Sequence, residues 1–122
     1  MRISAKLGIC TFMATSLSFA VTLYHGQLMD ASCYNQNSSQ TVEKSWVRCA
    51  PTNTTTAFAI HTNGHVRMLD VGGNAKAQAA FQDGVLRRDS NGDMPVIIDG
   101  SRHGNTIHVE GIRAHGSNTS VH

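Results

Sequence analysis

Three sets of residues in this 122-residue chain could carry chemistry: two cysteines, Cys33 and Cys49; two histidine pairs, His61/His65 and His103/His108; and the acidic run "DSNGDM" from Asp89 to Met94. A cysteine pair is a disulfide, half of a zinc site or a redox motif. Zinc needs two more ligands, and "CYNQNSSQTVEKSWVRC" offers no histidine; a redox motif places two residues between its cysteines, where this chain has fifteen. A structural disulfide is therefore expected, and closing a loop of that length contributes on the order of 3 kcal/mol in the chain-entropy model. His61 and His65 flank Asn63-Gly64, as His103 and His108 flank Gly104-Asn105. Each pair supplies half of a metal site, but no cysteine or carboxylate stands at ligand spacing with it, and the histidines alternate with apolar positions as the solvent face of a strand does. In "DSNGDM", Asp89, Asn91 and Asp93 match the first ligand positions of a calcium loop. The sixth and twelfth positions hold Met94 and Gly100 in place of Gly and Glu, so a polar turn is the expectation. No cofactor is expected. A Gly-x-Ser-x-Gly elbow and a glycine-rich phosphate loop are both missing from the sequence, which points away from an enzyme.

The compartment follows from the first twenty residues. Arg2 and Lys6 precede an uncharged run, "LGICTFMATSLSFA", that ends in Ser18-Phe19-Ala20. A basic end, an apolar middle and a small-x-small ending make a secretory signal peptide. The run is too short and too rich in Ser and Thr to span a bilayer, and Cys10 stands too early for a lipid-anchoring motif. Cleavage after Ala20 removes Cys10 and leaves one cysteine pair. It also removes Arg2 and Lys6 from the ten basic residues, so eight bases face eight acids. The expected product is a neutral, exported, periplasmic or extracellular chain with no membrane span, in a compartment that favours the Cys33–Cys49 bond.

The elements that must position these residues are mostly strands. "VTLYHGQLMD" alternates, with Val21 and Leu23 on one face, a bend at Gly26, and Leu28 resuming the apolar side. The cysteine bracket is polar loop, with Trp46 and Val47 packed beneath it or, alternatively, Tyr34 and Trp46 forming an exposed aromatic face. Thr54–Thr62 and His65–Asp70 form a hairpin about Asn63-Gly64, the strongest short hairpin signal. Asn74 starts a short helix whose Ala77, Ala80 and Phe81 share a face, and Gly84 stops it. A polar loop from Val85 to Met94 leads to a last hairpin, in which Val96 and Ile98 face Ile107 and Val109 about Gly104-Asn105. Strand, strand, strand, helix, strand, strand is the order of the OB barrel. The expected fold is mostly β: a five-stranded OB-like antiparallel barrel over residues 21–115, with one short helix between strands 3 and 4, its bottom plugged by Phe81. Residues 116–122 are expected to be a flexible tail.

The pattern Gly-x-Leu-Met-Asp-x-x-Cys in "HGQLMDASC", the segment "GHVRMLD" before the helix, and the ending "GNTIHVEGI" resemble small exported bacterial OB-fold-like proteins. The resemblance implies the fold and export. It implies no particular activity, since that group is of unknown function. The expected function is non-enzymatic binding of a small ligand, an envelope component or another protein. The alternatives are a small metal-dependent or hydrolytic enzyme, and an envelope stress or stability accessory without a specific ligand. A binding face is expected on the outer surface of the central strands, from Tyr34, Trp46, His61, His65 and Arg67. Nucleic acid is disfavoured as a partner, because the processed chain is neutral and its few aromatics include Phe58 and Phe81, which the core needs.

Overall fold

The computed structural model describes residues 21–37, 45–116 and 120–122. The expected signal segment 1–20, the middle of the cysteine bracket (38–44) and residues 117–119 lie outside the described residues.

The first strand holds the barrel together because it is shared. β1 (Thr22–Asp30) pairs over Thr22–Gln27 with β4 (Pro95–His103) and over Gln27–Asp30 with β2 (Phe58–Thr62), antiparallel in both cases. The handover falls beside Gly26, where the β2 backbone comes so close that a methyl group would strike the His61 carbonyl oxygen. Glycine is required there by the close approach. β2 turns into β3 (His65–Leu69) through Asn63 and Gly64, with φ of 50° and 77°, the positive-φ pair that an Asn-Gly hairpin turn calls for. β4 turns into β5 (Thr106–Ala114) at Gly104, with a bulge at Asp99/Gly100.

β3 and β5 then pair through Met68↔Thr106 and Leu69↔Ile107, and the barrel closes. This seam is parallel, which corrects the expectation of a wholly antiparallel barrel. The reason is parity: five strands in a closed ring cannot all alternate in direction, so one neighbouring pair must run the same way. The ring β1-β2-β3-β5-β4 with a helix between β3 and β4 is an OB-like barrel.

The core confirms the inward face and corrects one register. Leu28, Phe58, Ile60, Leu69, Val96, Ile98, Ile107, Val109 and Ile112 fill the barrel. On β1 the inward residues are Tyr24 and Leu28, whereas Val21 and Leu23 are 56% and 50% exposed. The side-chain period of two puts Leu23 and Leu28 on opposite faces. Val66 and Met68 likewise turn outward, onto a second cluster of Met29, Ala31 and Ala59 that lies under Tyr34 and Trp46.

Helix α3 (Val71–Gln82) starts one turn earlier than expected. Asp70, not Asn74, is its N-cap: the Gly73 N–H donates to Asp70 Oδ1 at 2.8 Å. Asn74 Oδ1 instead accepts the Phe58 N–H at 2.9 Å and ties the helix to the start of β2. Gly84, at φ 75°, follows the helix end. The helix buries only small residues, Gly73, Ala77 and Ala80, and Phe81 is half-buried against the core. The apolar stopper below the helix is Leu86, 2% exposed, so the segment after α3 is not simply polar. Met94, at its other end, is also buried.

The cysteine bracket contains two short helices, α1 (Ala31–Gln36) and α2 (Ser45–Arg48), where loop was expected. Asp30 caps α1, accepting the Cys33 N–H at 2.9 Å and the Thr55 hydroxyl at 2.7 Å. The Cys33–Cys49 disulfide is formed, with S–S 2.05 Å, and joins α1 to the end of α2. At the other terminus, where a tail was expected, β6 (Ser120–Val121) pairs with β5 through Ile112↔Val121 and Arg113↔Ser120. Among the described residues no helix is long and apolar enough to cross a membrane.

Candidate functional site

The alternation that fills the barrel continues past the core into its mouth. On β3, Leu69 points inward, so Arg67 and His65 do too; on β4 the same period of two runs from Val96 and Ile98 through Gly100 to Arg102, which sits opposite the inward Ile107, the extra residue of the bulge being Glu110 on β5. Together with Thr22 and Tyr24 of β1, Thr62 and Asn63 at the end of β2, and Ser101, these side chains line a cleft of about 560 Å³. Tyr24 packs on the core below, and the Thr62 hydroxyl donates to the His25 carbonyl at 2.8 Å. α3 packs against β5, β2 and β3 away from this cleft, so the barrel has a stopped end and an open one.

The cleft is electropositive. Among the described residues its lining includes Arg67, Arg102 and His65 and no carboxylate. Arg67 is half-buried and held in place, with Nη1 donating to Asn105 Oδ1 at 2.9 Å. Arg102 is exposed and makes no hydrogen bond or ion pair with any described residue. Two guanidiniums without a counter-charge, beside hydroxyl and amide donors, can bind an anion; they do not supply a nucleophile and base in contact.

No family model, curated protein or solved structure matches the chain.

The five residues expected to form one binding face separate into two groups. His65 and Arg67 belong to the mouth. Tyr34, Trp46 and His61 lie on the outside of the barrel, over Met29, Ala31 and Ala59. There the Trp46 indole N–H donates to Asp93 Oδ1 at 2.8 Å, and its ring lies 4.7 Å from the His61 ring, centroid to centroid. Partial burial lowers the His61 pKa below its ordinary 6.5, against a backbone hydrogen bond that raises it. Trp46 and Tyr34 thus pack under the bracket rather than forming an exposed aromatic face.

His108 is held between two carboxylates. Its Nδ1 lies 2.7 Å from Asp70 Oδ2 and its Nε2 3.2 Å from Glu110 Oε1. Burial alone would raise the Asp70 pKa; hydrogen bonds from the Gly73 N–H, His108 and the Val109 N–H outweigh it, with the His108 charge, and hold it below 3.8. Asp89, in the calcium-like run, spends its Oδ1 on the Asn91 and Asp93 N–H groups at 2.9 and 3.0 Å, inside its own turn. Among the described residues no group of three or more His, Cys, Asp or Glu side chains is placed to hold a metal ion.

Sequence reasoning missed Tyr24 and Arg102. Tyr24 went unnoticed because β1 was placed one residue out of register. Arg102 carried a usable signal: it lies two residues before the Gly104 turn, opposite an apolar alternation, where a base at a strand end faces the mouth.

Proposed function

We propose that the protein is an exported, non-enzymatic OB-like binding module, of the kind its opening and closing motifs resemble, and that a small ligand occupies the barrel mouth. The observation that carries this reading is the mouth cleft: side chains from β1, β2, β3, β4 and the β2–β3 turn converge on one concave space of about 560 Å³. That is within the range of small-molecule sites. Export is supported by the disulfide, which oxidising compartments favour. Among the described residues Tyr24 alone of the Phe, Tyr and Trp side chains lines the mouth, whereas single-stranded nucleic acid is held by a series of stacking aromatics along a basic groove.

The test is a thermal-shift screen of the exported protein against small saccharides, nucleotides, organic acids and divalent metals. A ligand present at a hundred times its Kd stabilises the folded state by about 2.7 kcal/mol, enough to read. The expected result is a shift with small polar compounds that is lost in Thr22→Trp, which blocks the rim. Shifts that survive Thr22→Trp, or come only from metals, contradict the mouth as the ligand site.

A further inference from the structure

We infer that the barrel mouth is an oxyanion site, and that its ligand is a sugar-sized polar molecule carrying a phosphate monoester held between Arg67 and Arg102. The inference rests on the reading of the mouth as the ligand site and names what binds there.

Charge is the first argument. The processed chain balances eight bases against eight acids, yet among the described residues the mouth gathers two arginines and is lined by no acid. Like charges lining one concave space repel, and an anion bound between them turns that repulsion into attraction. Two permanent positive charges match a dianion. A phosphate monoester carries about −1.5 to −2 at neutral pH, whereas a carboxylate would leave one guanidinium uncompensated.

Geometry is the second. Arg67 is oriented in advance by Asn105, which occupies one of its five N–H donors and leaves the rest to a ligand. Arg102 comes from a different strand, across the start of β5, so the two guanidiniums approach an oxyanion from two sides. Such paired, charge-assisted hydrogen bonds are the strong ones.

Size and lining are the third. A phosphate group alone fills only a small part of about 560 Å³. The remaining lining is Thr22, Asn63, Ser101 and the Tyr24 ring, polar groups and one aromatic face that suit a hydroxylated ring more than an acyl chain. A phosphate monoester can reach such a cleft free in solution or on the headgroup of a lipid.

The experiment titrates the protein, exported by a bacterial host from the full-length gene, with glucose 6-phosphate, inorganic phosphate, glucose, and vesicles of phosphatidylcholine with and without phosphatidic acid. Calorimetry reads the soluble probes and co-sedimentation the vesicles. Glucose 6-phosphate is expected to bind, inorganic phosphate to compete with it more weakly, and glucose not to bind. Arg102→Ala should weaken the phosphate probe by about ten-fold or more, roughly 1.4 kcal/mol, with Arg102→Lys recovering part of the loss. Because Arg102 is exposed, both variants should keep the parent melting temperature. Binding only to phosphatidic acid vesicles, lost in Arg102→Ala, supports the same chemistry with a lipid source. Glucose binding as tightly as its phosphate overturns the oxyanion site and leaves the mouth as a ligand site. Phosphate binding that survives both Arg67→Ala and Arg102→Ala overturns the oxyanion site and the mouth together, and no binding by any phosphate probe overturns the oxyanion site.

Discussion

His61 shows how a single residue couples the outside of the barrel to pH. Its ring lies on Trp46, and partial burial lowers its pKa below 6.5, so the folded state binds fewer protons than the unfolded chain as the pH falls. A depressed pKa contributes stability that is present above 6.5 and is lost as pH falls toward the folded value. Asp70 has the same sign in the acid range: its carboxyl is held below 3.8, and the stability it contributes is lost as pH falls through that lower value. Urea unfolding at pH 7.5 and about pH 5.5 should therefore show a lower midpoint at the acid end for the parent protein. His61→Gln should have a flatter dependence over the same interval, whatever its absolute stability. An unchanged slope in the variant would place the effect at another histidine.

At the scale of the elements, the helix below the barrel was legible in kind but not in detail. Ala77 and Ala80 were identified correctly as the helix face that packs, and Gly84 as its stop. The start was hidden because Val71-Gly72-Gly73 has poor helix propensity and the Asp70 cap overrides it. Phe81 was a natural choice of plug, yet the small residues bring α3 so close to β5 that the aromatic is left half-buried and Leu86 takes the position beneath. Leu86→Ala should therefore cost roughly 3 kcal/mol, and Phe81→Ala only about half as much, since less surface is lost from the core. Denaturant midpoints of the two variants give the order; a larger loss for Phe81→Ala would restore it as the plug. The two helices of the cysteine bracket were not legible at all. They are too short to form on propensity, and their order comes from contacts far apart in sequence: Thr55 on the capping Asp30, the bond between Cys33 and Cys49, and Trp46 on Asp93.

For the whole molecule, strand count and order were legible because Asn63-Gly64 and Gly104-Asn105 mark both hairpins and the apolar alternation marks the inward faces. The parallel β3–β5 seam was not stated in advance, although an odd ring requires it. The mouth was half legible. His65 and Arg67 were legible as site residues, but not their separation from His61, which the pleat of β2 sends outward, or from Tyr34 and Trp46, which α1 and α2 hold on the outside of the barrel. Tyr24 needed the register of β1, which local sequence does not carry, whereas Arg102 follows Val96 and Ile98 at the strand's period of two and was open to the same alternation. The central claim is that ligands enter at this mouth. Amide chemical-shift mapping of the isotope-labelled exported protein, titrated with whichever compound gives the largest thermal shift, tests it most directly. The perturbed amides should cluster at Thr22, Tyr24, Asn63, Arg67, Ser101 and Arg102. Perturbations confined to the outer groove of Trp46, Val47, Asn91 and Asp93 would contradict the claim.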